Sequence, residues 1–296
     1  MLFKEEQLID YCDKENKRIY DIVLEDEVKR SGRTKEEILN DIYAIIDVME
    51  ESSQAYLNKE GTTTMNLVRG YSKKLEDFSN SGKALIGPGL VHLMAMAFST
   101  IETNAAMGKI VAAPTAGASG IIPAILMYYK QTHPEVTKEQ LAHAILTGTG
   151  VGLIIGKYAT FAGAEGGCQA ECGSAAAIGA GVLVELQGGT IKEIFNAASI
   201  ALLNIMGLVC DPIGGIVEFP CGFRNASGAM NSFISADMSM AGAFSVVPFD
   251  QVAIAMGEVG RALPNTLRET GLGGVAISPV GCRINEEFKK KIQAGQ

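Results

Sequence analysis

The stretch that decides the fold class runs from residue 139 to residue 159 and reads EQLAHAILTGTGVGLIIGKYA. It is longer than an ordinary strand and lacks the alternation of apolar and polar residues that a half-buried strand shows, so it predicts a buried helix. Thr137 and Gln140 form a capping-box pattern at its start. Glycine inside a helix lowers helix propensity. Its presence here is explained if the helix backbones pack closely around a common centre.

Three further segments are also predicted to be helical. They are EEILNDIYAIIDVMEESSQAYL (36–57), IKEIFNAASIALLNIMGL (191–208) and DQVAIAMGEVGRALPNTL (250–267). Capping-box patterns begin at Thr34 and Thr190, and Asp250 is the expected N-cap of the last segment. We therefore predict a mainly all-α protein whose helices pack around glycine-rich loops.

The chain changes character near residue 80. Residues 4–80 are charged and poor in glycine, whereas residues 80–280 are rich in Gly, Ala, Ile and Met. We predict an N-terminal helical segment (1–80) and a larger domain (81–296), which could together form one continuous domain. The terminal INEEFKKKIQAGQ (284–296) is expected to be a short polar helix or a frayed tail.

Composition limits the possible functions. Hydrophobic residues make up 47% of the 296 residues and charged residues 20%, which is typical of a globular chain. The net charge of −8 argues against a nucleic-acid partner, because nothing would neutralise the phosphates. The apolar stretches are short for membrane spans, and the N-terminus is charged where a signal peptide needs an apolar core. We expect a cytoplasmic protein whose six cysteines are not structural disulfides.

Glycine-rich loops hold most of the site-like residues. The three loops are KIVAAPTAGASGIIP (109–123), TFAGAEGGCQAECG (160–173) and CDPIGGIVEFPCGFRNASG (210–228). They contain Cys168, Cys172, Cys210 and Cys221, with Cys210 expected at the end of a helix. Thiolates suit iron–sulfur clusters, zinc or copper, and the lack of a C-x-x-C pair disfavours a zinc finger. Buried cysteines also act as small apolar side chains, so spacing alone leaves both interpretations open.

The loop at 113–123 is a candidate anion cradle. It places Thr115, Gly117 and Ser119 ahead of a helix expected to begin near residue 119, where backbone N–H groups can bind a carboxylate. Arg224 and Asn225 follow Cys221, and the guanidinium could bind a substrate carboxylate or cap nearby carbonyls.

The histidines and other polar residues suggest no catalytic base. His92 and His143 lie in apolar helices and are interpreted as core residues, and His133 as part of a surface turn. No catalytic residue is therefore assigned on this chain.

The ordered motifs resemble a known family. APTAGASGIIPAIL (113–126), GCQAECGSAAA (167–177) and CDPIGGIVEFPCGFRNA (210–226) are similar to the α-domain of bacterial iron–sulfur L-serine dehydratases. The resemblance covers nearly the whole chain and is densest from about residue 100 to residue 280. It implies a [4Fe–4S] cluster held by Cys168, Cys210 and Cys221, and no pyridoxal phosphate.

The chemistry that the resemblance implies is elimination of water from L-serine. Three protein thiolates leave one iron open, and that iron acts as a Lewis acid on the β-hydroxyl while a base removes the α-proton. The resulting aminoacrylate hydrolyses to pyruvate and ammonia. The candidate substrate-binding residues come from the loop at 113–123 and from the residues after Cys221, and they are Thr115, Gly117, Ser119, Arg224 and Asn225.

The resemblance also implies a partner. The family's β-domain carries a serine-rich segment with histidine ahead of a glycine–proline, and no such segment occurs here. The chain thus resembles the α subunit of a hetero-oligomer whose β subunit supplies the general base. In single-chain relatives a C-terminal cysteine can reach the open iron, which makes Cys282 a possible fourth ligand. The 14 residues that follow it (283–296) depart from that pattern.

Other interpretations stay open. Within the same fold the chain could be a cysteine desulfidase-like lyase, since cluster and carboxylate binding would look alike. A non-catalytic cluster-containing sensor subunit is an alternative from another class. Cys172 is interpreted as a packing residue near the cluster, and Cys12 as incidental to function.

Overall fold

The computed structural model describes residues 4–294 of the chain. Within that part it contains thirteen α-helices and no β-strand, which confirms the predicted mainly all-α class. The helices are α1 (Glu5–Glu15), α2 (Ile19–Ser31), α3 (Lys35–Gln54), α4 (Tyr71–Ser79), α5 (Pro88–Ala105), α6 (Ile121–Thr132), α7 (Lys138–Tyr158), α8 (Gly163–Gly166), α9 (Ser174–Leu186), α10 (Ile191–Ile205), α11 (Cys221–Met240), α12 (Phe249–Ala262) and α13 (Pro279–Gln293). In the described part no helix is both long and apolar enough to cross a lipid bilayer.

The capping signals place several helix starts correctly. At Thr34, Thr137 and Thr190 the side chain accepts from the backbone N–H three residues later, and the Glu or Gln there accepts from the cap's own N–H. Asp250 does not cap α12, because Pro248 occupies the N-cap and Asp250 lies in the first turn. Pro248 has extended backbone and is followed directly by Phe249, so the helix begins two residues earlier than a cap at Asp250 would place its start.

Helix α9 lies at the centre of the packing and contacts α6, α7, α10 and α11. Seven of its thirteen residues are Ser, Ala or Gly, and all seven are buried. At Gly181 an added Cβ would lie 3.1 Å from a methyl of Val151 and 3.3 Å from one of Ile194. The small residues of this helix therefore bring neighbouring backbones close together, as the sequence predicted.

The N-terminal helices join the same hydrophobic core. Leu8, Ile19 and Ile46 are buried in one continuous cluster with residues of α5 to α10, and Gly150 of α7 packs directly against Ile19. Arg18 also pairs with Glu185 at the end of α9, over 2.9 Å. The division at residue 80 remains a prediction.

Helix α10 ends earlier than we expected, whereas the C-terminal segment forms a polar helix as predicted. Helix α10 ends at Ile205, so Cys210 lies in a loop, where it forms an isolated bridge with Arg268, rather than at a helix end. The turn Met206–Gly207, with Gly207 at φ +88°, stops the helix earlier. The polar C-terminal segment is helical through Gln293 in α13, and residues 295 and 296 lie outside the described part.

Candidate functional site

Three chain segments meet beside the start of α11. A short 3-10 turn (Ala116–Ala118), a π-helical turn (Gln169–Gly173) and the first turns of α11 contact one another. A π-turn widens the helix by one residue, and such turns recur at functional sites. The predicted cysteine-bearing loops are thus brought together with the predicted anion cradle.

Four buried thiols gather where these segments meet. The Sγ atoms of Cys168 and Cys172 are 3.4 Å apart across the π-turn, as expected if the two share one helix face. Cys210 approaches Cys168 closely enough for a hydrogen bond, and Cys221 lies within electrostatic range at the start of α11. The exposed fractions of these four residues are 0–6%.

The two remaining cysteines lie elsewhere. Cys12 is buried in α1, and Cys282 is exposed on α13.

The thiols cannot all ionise without a compensating positive charge. Hydrogen bonds from Cys172 and Cys210 hold the pKa of the Cys168 thiol well below its ordinary range. That anion in turn contributes to the raised pKa of Cys172 and Cys210, while burial raises the pKa of Cys221 to about 12. Several soft ligands that need a nearby cation to become thiolates are the chemistry of an iron–sulfur site, so these donors suit one by their chemistry. Their positions do not form a ligand set, because within residues 4–294 no group of three or more Cys, His, Asp or Glu side chains is arranged to hold a metal ion.

Arg224 supplies the cationic side chain of this cluster of thiols. Its guanidinium donates to the Val209 carbonyl over 2.9 Å and to Oδ1 of Asp211 over 2.7 Å, and it reaches the Cys168 sulfur. The Asp211 carboxylate also accepts from the backbone N–H of Val275 at 2.7 Å. Arg224 is therefore held in place by three partners, and Asp211 ties the segment before α13 to the site.

Glu171 is the acidic residue that the sequence reasoning missed. Its carboxyl accepts from the Thr115 hydroxyl at 2.8 Å and lies 3.8 Å from the Cys210 sulfur. Burial, followed by the charge on Cys168, raises the pKa of Glu171 to about 7. A carboxyl with that pKa can both give and take a proton near neutral pH. The available signal was an acidic residue between two cysteines of a glycine-rich loop.

Two glycines make room for the Glu171 carboxyl. A Cβ at Gly163 would lie 2.6 Å from Oε2, and one at Gly117 would lie 2.7 Å from Oε1. Any larger residue at either position would displace the carboxyl. Gly117, predicted as a substrate-binding residue, therefore borders the site through its lack of a side chain.

The other predicted substrate-binding residues differ in how fully they are engaged. Asn225 donates from Nδ2 to the carbonyls of Gly117 and Cys221, and its Oδ1 accepts from the N–H of Gly120. Two of these three hydrogen bonds join the 113–123 loop to α11, and the third, to Cys221, lies within α11. Ser119 is fully buried, and its hydroxyl has no hydrogen-bond partner in the described structure. Helix α6 begins at Ile121, two residues later than expected.

The histidines lie outside this cluster, although not fully in the core as predicted. The His92 ring bonds Glu76 and Gln131, and the His143 ring stacks on Tyr20 at 4.3 Å between centroids. Both rings stay partly exposed, with 20% and 25% of the side chain accessible. The polar ring nitrogens favour partial contact with solvent or with polar partners over full burial, which explains the difference.

Comparison with known proteins gives a consistent result. Residues 14–276 match the family described as serine dehydratase alpha chain. The chain is 52% identical over 291 residues to a protein from Peptoniphilus asaccharolyticus named L-serine dehydratase, alpha chain, covering 98% of this chain and 99% of that protein. It is 41% identical to the probable L-serine dehydratase, alpha chain, of Bacillus subtilis, covering 98% and 94% of the two chains. An L-serine dehydratase of Streptomyces coelicolor is 35% identical over 268 residues, which are 88% of this chain and 57% of that protein.

Proposed function

Because this chain belongs to the serine dehydratase alpha chain family, we propose that it is the alpha subunit of an iron–sulfur L-serine dehydratase, which converts L-serine to pyruvate and ammonia. The observation that carries the proposal is the gathering of buried thiols around Cys168, in a chain of which 98% is matched by a protein named L-serine dehydratase, alpha chain.

Cys168, Cys210 and Cys221 would hold the [4Fe–4S] cluster. When bound, the cluster would supply an iron with an open position that acts as a Lewis acid on the substrate hydroxyl. Arg224, fixed by Asp211, places a permanent positive charge beside Cys168 and so favours its thiolate form. Cys172, 3.4 Å from Cys168, would donate its S–H to that thiolate rather than serve as a ligand.

The loop from Thr115 to Ser119 would bind the substrate. The unpartnered Ser119 hydroxyl, two residues before α6, is suited to donate to a carboxylate. Arg224 provides the cation for the same carboxylate or for the thiolates next to it. Asn225 keeps the loop against α11 and thereby fixes its distance from Cys221.

A second chain would complete the active site. The Streptomyces protein contains a large part that this chain does not cover, whereas the Peptoniphilus alpha chain is matched almost completely. We assign to a beta subunit the base that removes the α-proton. Besides that α-proton, a second proton could be given or taken at the site, and Glu171 is the residue of this chain best placed to transfer it, at its Oε2 beside Cys210.

The test is turnover under anaerobic conditions. We expect the cluster-loaded alpha and beta chains together to form pyruvate from L-serine, and the cluster-loaded alpha chain alone to form almost none. Faster turnover of L-cysteine than of L-serine would favour the desulfidase alternative. Full activity of the alpha chain alone would refute the two-chain assignment, and Glu171 would then be the first candidate for the base.

A further inference from the structure

A wide apolar groove lies next to the site. Its volume is about 640 Å³, and its walls come from α3, α6, α7, α9 and residues 111–114. Thr149 and Lys157 are the polar members of a lining that is otherwise aliphatic, aromatic or glycine, and none of the described residues that line it is acidic. The groove is therefore suited to an apolar occupant.

The groove is open to solvent. Ile45 on the α3 wall and Leu153 on the α7 wall are 37% and 38% exposed, and Thr149 and Gly156 between them are exposed as well. Contiguous apolar surface of this kind on a folded chain marks an interaction site.

The groove reaches the candidate active site along two segments. Its wall at Pro114 is followed directly by Thr115, whose hydroxyl donates to Glu171. Its wall at Phe161 is followed two residues later by Gly163, which touches the other oxygen of the same carboxyl. A chain lying in the groove would therefore place its neighbouring residues at the edge of the site.

We propose that this groove receives an apolar segment of the beta subunit. The inference rests on the proposed function, which needs a second chain close to Thr115 and Glu171. The protein from Streptomyces contains that additional length of polypeptide, because this chain covers 57% of it. A second copy of this chain would fill the groove without supplying a base, so the beta subunit is the occupant that the chemistry favours.

The experiment compares Leu153→Arg with Ile234→Arg. Both replace an exposed aliphatic residue of a long helix, but Ile234 lies on α11 outside the groove and is 47% exposed. Each alpha variant is loaded with its cluster anaerobically, and its affinity for the purified beta chain is measured by sedimentation. We expect Leu153→Arg to weaken binding at least tenfold, which corresponds to about 1.4 kcal/mol, because a charge would replace an apolar anchor of the interface. Its iron content and melting temperature should stay at the wild-type values, and Ile234→Arg should bind normally.

The outcomes separate the two proposals. Wild-type affinity of Leu153→Arg in a complex that converts serine overturns the groove assignment and leaves the proposed function standing. If Leu153→Arg binds the beta chain more weakly but the wild-type complex forms no pyruvate, the groove assignment is supported and the proposed activity is contradicted. A photo-crosslinker at Thr149 gives an independent measurement if Leu153→Arg does not fold. A crosslink to a beta peptide supports the assignment, and a crosslink to a second alpha chain or to no chain overturns it.

Discussion

Arg224 donates to Asp211 over 2.7 Å, and the two side chains are only 15% and 4% exposed. The pair lies between the thiols and the segment that leads into α13, because the other carboxylate oxygen of Asp211 accepts from Val275. A charged pair that is shielded in this way fixes the position of the guanidinium beside Cys168.

Removing Asp211 should destabilise the chain. The Asp211→Ala variant leaves Arg224 without its anion in a largely buried place, for which a loss of about 3 kcal/mol is expected. Asp211→Asn keeps an acceptor for Val275 and should lose less. Urea unfolding measures both. Asp47→Ala removes the exposed pair with Lys138 and should change stability little, so an equal loss there would contradict the role given to burial.

Cysteine substitutions should sort the six residues by their effect on cluster content. Cys168→Ala, Cys210→Ala and Cys221→Ala should each lose most of the iron and acid-labile sulfide after anaerobic reconstitution. Cys172→Ala is the matched control, because Cys172 is equally buried and 3.4 Å from Cys168. It should retain the cluster, as should Cys12→Ala and the exposed Cys282→Ala. Full iron content in Cys210→Ala would remove that residue from the ligand set.

Glu171→Gln should slow turnover and leave cluster content unchanged. Glutamine keeps an acceptor for Thr115 but cannot exchange a proton, and general acid–base groups contribute about 10²–10⁴-fold to rate. We therefore expect kcat of the complex to fall at least a hundredfold, with a smaller change in KM. Glu165→Gln, on an exposed residue of the neighbouring turn, should remain active. Loss of iron in Glu171→Gln would instead indicate that this carboxyl mainly supports Cys210.

Local signals in the sequence predicted the helices well. The three Thr-headed capping boxes begin helices as expected, since both of their hydrogen bonds depend on residues only three positions apart. The π-turn at 169–173 was not predicted, although the shared face of Cys168 and Cys172 was. The hydrogen bonds of a π-turn span five residues instead of the four of an α-turn, and the choice between the two depends on tertiary packing rather than on residue type.

Contacts between distant loops account for what the sequence did not reveal. The pKa of Glu171 is raised only because the folded chain buries its carboxyl, against Gly117 and Gly163, and places it near Cys168. Asp211 is important through Arg224 and Val275, which are 13 and 64 residues away. Contacts between residues so far apart in the sequence leave no local pattern. The cysteines could be identified as candidate ligands from their residue type alone, because thiolates bind soft metals.

Glu102 should make stability depend on pH in a direction opposite to that of most carboxylates. It lies on α5, is fully buried, and accepts from the backbone N–H groups of Gly70 and Ser72. Burial outweighs these hydrogen bonds and raises its pKa above 4.5. The folded chain then binds the proton more tightly than the unfolded chain does. This contribution to stability is complete below the unfolded pKa and is lost as pH rises through the folded pKa.

The Glu102→Gln variant isolates that contribution, because glutamine does not titrate. The free energy of unfolding of the wild type, relative to that of Glu102→Gln, should increase as pH is lowered from neutrality towards the ordinary carboxyl range. Urea unfolding at a series of pH values measures this difference and cancels the acid sensitivity that the two proteins share. Glu36→Gln, at an exposed position of α3, controls for the loss of one negative charge and should show a flat difference. A difference for Glu102→Gln that decreases on acidification would mean that the backbone donors from Gly70 and Ser72 outweigh burial, and that Glu102 stabilises the fold as an anion.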